Sequence, residues 1–313
     1  MVVSNHNKIM EEMRQSAEQG IPFAQYHYGM AFLNRMGMGL PNDAVEAVKW
    51  ITKAADAEFL LAQQMLGIFY SRGKHVERNR DKAVHYLDGA SKQGCVESKA
   101  ELAVLLLDRF IPREQQRKGE DYLLEAVEAN HIPATFLLGS LLINGDFFDQ
   151  DIERGIKIFK VLAENDLKEA VTQLAIIYLH GFHVEQDVKL AIQYMEKSVK
   201  LKDKNAMYYL ARMYLSGVTK ELGCLDIGYS KPILIHADYL EQDTHKGVAL
   251  LVDATNSGHL RAMYHIGVML LIGENIQQDR TEAIKLLKQA KAMGSVDAAK
   301  YLETIERTEN LTH

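Results

Sequence analysis

Cysteine and proline are scarce in this 313-residue chain, and no long apolar run is present. Two cysteines, Cys95 and Cys224, lie more than a hundred residues apart. A disulfide-stapled secreted scaffold needs more of them at regular spacing, so the thiols are expected to be free and the compartment reducing. Five prolines favour long helices over many short strands. The longest apolar stretches fall well short of 18 residues, which excludes a membrane-spanning helix. The opening MVVSNHNKIMEEM has neither the apolar core nor the cleavage site of a signal peptide, so a cytoplasmic location is expected. Lys and Arg number 36 against 42 Asp and Glu, a net charge of −6. Without clustered cations to neutralise phosphates, a nucleic-acid partner is not expected.

Catalytic and metal signatures are missing as well. There is no glycine-rich phosphate loop and no G-x-S-x-G around a nucleophile. Twelve histidines are scattered, and the nearest to a ligand pair is His180-x-x-His183 at an expected helix end. No cysteine or acid stands at metal spacing beside it, so a solvated loop is the reading and no cofactor or metal is expected.

What is present is a repeat. Segments of the form Ala-x-x-x-Leu-Gly-x-x-Tyr begin at Ala24, Ala62, Ser98, Ala134, Ala170, Ala206 and Ala262, with a truncated one at Ala298. The spacings are 38, 36, 36, 36, 36, 56 and 36 residues. Large side chains recur at offset four, Gly or Ala at offset five, and Tyr, Phe or Leu at offset eight, all on one stripe of an α-helix. A helical Gly costs about 1 kcal/mol relative to Ala, so Gly67 and Gly139 imply a second helix in close approach. Glycines at 73, 145, 181, 217 and 273 stand where a left-handed cap would end the helix.

A second helix follows each first one. Its expected N-caps are Asp43, Asn79, Gln115, Asp151, Asp187, Asp243 and Asp279. Small residues recur four positions later, then an aromatic or aliphatic at Trp50, Tyr86, Tyr122, Ile158, Tyr194, Leu250 and Leu286. Gly94, Gly258 and Gly294 stop it. The stretch from Ile9 to Gly20 matches this second helix alone, so a half-repeat at 8–20 opens the array and a cap at 296–307 closes it. One pair cannot bury its own apolar face, so the expected fold is all-α: a single right-handed α-α superhelix of about seven stacked helix pairs.

The segments AQQMLGIFYSRG (62–73) and DKAVHYLDGASKQG (81–94) resemble the Sel-one-like repeat, a relative of the tetratricopeptide repeat. The matching features are the starting Ala, the Leu-Gly pair, the Tyr that follows, and the Lys-Ala with its aromatic. They extend over residues 9–302. The resemblance implies a bacterial-type scaffold or adaptor that binds a protein or peptide. A narrower alternative is an immunity or inhibitor protein that clasps a toxin, and a remote one is a penicillin-binding hydrolase. Cysteine-rich members pair a disulfide in each repeat; those cysteines are lacking here, so neither that pairing nor penicillin binding is carried over.

Such arrays place the first helices on the concave side, and offsets three, seven and ten point away from the packed stripe. The middle column (Ala31, Phe69, Leu105, Leu141, Ile177, Met213, Met269) is apolar. It either packs between neighbouring first helices or floors a groove for an amphipathic segment. Residue types favoured at interfaces single out Tyr208, Tyr209 and Arg212 on one first helix and Tyr264 and His265 on the next, with Phe69 and Arg72 towards the other end. Tyr209 and Arg212 are expected to face away from the packing stripe. An insertion of about 20 residues at 218–243, carrying Cys224, Tyr229, Pro232 and His236, is either a tolerated loop or part of the binding face.

Overall fold

The computed structural model describes residues 2–33, 43–181, 184–216 and 240–311. The inserted segment, with Cys224, Tyr229, Pro232 and His236, lies outside them apart from its last residues, as do His183 and Gly217. Among the described residues there are sixteen helices and no strand. The chain divides into two compact units, Met1–Asp151 and Ile152–His313.

The first unit comprises α1 (Val2–Glu18), α2 (Pro22–Leu33), α3 (Ala44–Asp56), α4 (Leu60–Arg72), α5 (Arg80–Lys92), α6 (Val96–Leu106), α7 (Arg113–Glu128) and α8 (Ile132–Asn144). The second comprises α9 (Ile152–Glu164), α10 (Lys168–His180), α11 (Val188–Lys200), α12 (Lys204–Ser216), α13 (Thr244–Asn256), α14 (Leu260–Ile272), α15 (Arg280–Ala292) and α16 (Val296–Leu311). Within the units the closest packing joins α2 to α3, α4 to α5, α6 to α7, α10 to α11, α12 to α13 and α14 to α15. Each pair then packs on its sequence neighbour. This is the helix-pair repeat read from the sequence.

Small residues set the closeness of the pairs. A Cβ built on Gly67 would fall 2.6 Å from Leu87 Cγ, and one on Gly247 would fall 2.6 Å from Leu215 Cγ. The facing Ala47, Ala83, Ala191 and Ala283 are completely buried. Gly139 is buried in α8. Between pairs, large side chains take over: Tyr26, Ile51, Leu66 and Phe69 form one cluster joining successive repeats in the first unit.

The turns repeat as closely as the helices. Every passage from a second helix to the next first helix contains one left-handed residue. It is Gly20, Gly94, Gly258 or Gly294 in four turns and Glu58, Asn130, Asp166 or Lys202 in the other four. The first helices α4, α8, α10 and α14 end on Gly73, Gly145, Gly181 and Gly273 with φ between 65° and 76°, the left-handed cap that glycine adopts without strain. Asp43, Asn79, Asp187, Asp243 and Asp279 accept hydrogen bonds from first-turn N–H groups of the helices they precede. Gln115 does not. Helix α7 starts earlier, behind Pro112, and contains Gln115 in its first turn; proline's fixed φ sets the helix start where no short polar side chain is available.

One alternative is decided and one further expectation is corrected. Of the apolar middle column, Ala31, Phe69, Leu141, Ile177, Met213 and Met269 are buried within the chain, and only Leu105 is half-exposed. These side chains pack between helices, and among them Met269 also borders a cavity beside Leu215 and Val268. Tyr209 does not face away from the core either: it is 8% exposed, Tyr208 is 2% exposed, and both belong to the main cluster of the second unit. The reason is geometric. Residues of α10 and α14 share that cluster, among them Ile176, Leu179, Ile266 and Met269, and Tyr208 meets the rings of His259 and His265.

Candidate functional site

The seven residues selected for partner binding divide sharply by environment. Phe69 is buried in the first unit, with its ring edge-on to His75 at 5.0 Å. Arg72 is exposed and forms an ion pair with Glu101 of α6. In the second unit Tyr208 and Tyr209 are core residues, whereas Arg212, Tyr264 and His265 remain half-exposed. The structure brings those last three together. They border one cavity of about 430 Å³ whose apolar lining comes from Leu215, Val268 and Met269.

Helices α12 and α14 position this group. Register is set by the turn at Gly258 and by His259, which caps α14 by accepting the Ala262 N–H on Nδ1 at 3.1 Å. The His259 ring stacks on Tyr208 at 4.4 Å, and Tyr208 meets His265 edge-on at 5.5 Å. Arg212 lies over the other side of the cluster, its guanidinium carbon 5.9 Å from the Tyr208 ring centre. Tyr264 reaches across to α16, where its ring sits edge-on to Tyr301 at 5.9 Å. A second cavity of about 370 Å³ borders the same aromatic cluster, with Lys204, His259 and Arg261 among its lining residues.

The electrostatics follow from burial and nearby cations. Burial above all, then Lys204, Arg261 and His265, holds His259 down at about 4. His265 is likewise lowered to about 4, first by burial and then by Arg212 and Arg261, with Asp297 opposing. Both imidazoles are therefore neutral at physiological pH, and the charge of the face is carried by Lys204, Arg212, Arg261, Glu274 and Asp297. Half-exposed aromatic rings beside guanidinium groups and an apolar floor can bind a side chain and its backbone.

His259, Lys204 and Arg261 were not singled out from the sequence. Their signal is positional: His259 occupies the same repeat position as the capping residues His131, Asp203 and Ser295. His180 is half-buried and lowered to about 4 by desolvation. Among the described residues no group of three His, Cys, Asp or Glu is arranged to hold a metal ion. Cys95 is a buried free thiol hydrogen-bonded to Ser98 and Glu97. No helix among the described residues is long and apolar enough to cross a membrane.

Helix pairs recurring every 36 residues around close small-residue contacts define a tetratricopeptide-like helical-repeat protein. The Sel1 repeat profile matches residues 22–59, 60–95, 132–167, 168–203 and 204–222, and a profile described as plant tetratrico peptide repeats matches 235–310. The chain belongs to the Sel1-repeat family. The fold is shared with a Sel1 repeat protein from Oxalobacter formigenes, 22% identical, TM-score 0.63, over 95% of this chain and 79% of that one. It is also shared with an SLR-fold protective antigen of uropathogenic Escherichia coli, 20% identical, TM-score 0.58, over 96% of this chain and 60% of that one. By sequence the chain is similar to chitin synthase regulatory factor 3 of Schizosaccharomyces pombe, 27% identical over 43% of this chain. An uncharacterised protein of Neisseria meningitidis serogroup B is 24% identical over 65% of it. The chain spans 16% and 49% of the lengths of those two relatives.

Proposed function

We propose that this chain is a non-catalytic protein-interaction scaffold whose α12–α14 face takes a peptide or loop of a partner protein. The observation that carries the reading is the convergence of Arg212, Tyr264 and His265 on one cavity with an apolar lining. These are the residue types that concentrate binding energy at interfaces. Repeat arrays bind through extended surfaces built from successive helices, and adjacent first helices supply such a surface here. A similar protein bears the name of a regulatory factor rather than of an enzyme, which accords with a non-catalytic role.

The test is capture from native cells with the wild-type chain and with an Arg212→Ala, Tyr264→Ala double variant of matched melting temperature. A specifically recovered protein should be lost with the double variant, and calorimetry on that protein should show at least about tenfold weaker binding. An unchanged recovered set would end the α12–α14 assignment. Recovery of one dominant, very tight partner would narrow the reading to a dedicated inhibitor or immunity protein.

A further inference from the structure

One first-helix tyrosine of the repeat lacks the second-helix ring that its counterparts stack on. In the second copy Tyr70 of α4 stacks on Tyr86 of α5, with centres 6.1 Å apart and planes 6° from parallel. In the fifth copy Tyr178 of α10 stacks on Tyr194 of α11 at 6.0 Å and 8°. The sixth copy retains the tyrosine as Tyr214 on α12, but the matching position of α13 is Leu250. The rest of the motif is kept: Lys246 stands 5.5 Å over the Tyr214 ring, as Lys82 stands 5.1 Å over Tyr70. The other copies with a non-aromatic residue in this column of the first helix include Leu106, whose second-helix counterpart is Tyr122, and Leu270, whose counterpart is Leu286. Tyr214 is the tyrosine of this column without an aromatic counterpart.

A recess of about 430 Å³ opens at this place, lined by Val199, Leu210, Tyr214 and Leu250, with Glu196 among its polar residues. Glu196 has a meaningful register. It occupies the repeat position of Asp88, which accepts the Tyr122 hydroxyl proton at 2.8 Å. The recess therefore holds a tyrosine face to stack on, apolar walls, and a carboxylate where a phenol hydroxyl is accepted in another copy.

We propose that this recess binds a tyrosine side chain of a partner protein, which supplies the ring that the sixth repeat lacks. An aromatic occupant is favoured over an aliphatic one of equal size because parallel rings gain stacking beyond the area they bury. The hydroxyl favours tyrosine over phenylalanine because a charged acceptor strengthens its hydrogen bond. The proposal is independent of the α12–α14 cavity, since neither Arg212 nor Tyr264 lines the recess.

The test uses the full chain and p-cresol as the tyrosine side-chain probe, followed by NMR. Saturable shifts are expected at Tyr214, Leu210 and Leu250. The non-aromatic 4-methylcyclohexanol should bind about threefold to tenfold more weakly. Leu250→Tyr, which restores the internal stack, should abolish the p-cresol shifts and raise the melting temperature. Glu196→Gln, a surface change that leaves packing intact, should weaken p-cresol about threefold or more. Absence of p-cresol shifts at Tyr214, equal binding of the two probes, or undiminished binding in either variant would overturn the proposal.

Discussion

Tyr208 and His259 stack 4.4 Å apart with 25° between their planes, while His259 Nδ1 holds the first turn of α14 by accepting the Ala262 N–H. One ring thus packs the core and caps a helix, and it can do both only while neutral.

Acid should therefore loosen the second unit before the carboxylates titrate. His180, His259 and His265 are each lowered from 6.5 to about 4, with burial as the largest cause. Between those values the unfolded chain takes up protons that the folded chain refuses. Their stabilising contribution is fully present above pH 6.5 and is lost as pH falls towards 4. Chemical denaturation across pH 4–7.5 checks this, and His259→Asn, which keeps a capping acceptor but cannot charge, should flatten part of the slope. A stability profile level through pH 5 would contradict it.

Tightness of the helix pairs makes a second expectation. Gly67→Ala places a methyl 2.6 Å from Leu87 Cγ, so either Leu87 or the helix must shift. The loss should be on the order of 1–3 kcal/mol, and larger for Gly67→Leu. Urea midpoints measure it, and an unchanged midpoint would mean that α4 and α5 separate freely.

Backbone strain in the turns offers a stabilising change. Lys202 and Glu58 hold φ near 58° at the position where Gly94 and Gly258 stand in other copies. A left-handed conformation costs an L-residue roughly 1–2 kcal/mol, which glycine avoids at some cost in unfolded-state entropy. Lys202→Gly should therefore raise stability by up to about 1 kcal/mol. The reciprocal Gly94→Ala should lower it by a similar amount, although nothing lies within 4 Å of the added Cβ. Opposite signs in thermal melts establish strain as the cause, since a clash is absent at Gly94.

Burial separates two residues that look alike in sequence. Tyr209→Ala removes an almost fully buried ring and should cost about 3 kcal/mol or more. Arg212→Ala, on the half-exposed side of α12, should cost no more than about 1 kcal/mol. Only Arg212 can then report cleanly on partner binding. Equal losses in melting temperature would place both side chains in the core.

The helix pairs, their 36-residue period and most caps were legible in the sequence because each depends on local chemistry. Small residues, Asp and Asn caps and left-handed glycines act within a turn or across one helix pair, so their spacing alone determines the element. Gln115 misled because a proline three residues earlier started the helix first. The environment of the first-helix faces depends on how neighbouring repeats approach, and no spacing within one copy encodes that. Tertiary packing consequently buried Phe69, Tyr208 and Tyr209, left Arg212, Tyr264 and His265 around a cavity, and made the substitution of one ring by Leu250 into a recess. Pairwise helix geometry is a property of residues a few positions apart; exposure is a property of the helix that arrives from the next repeat.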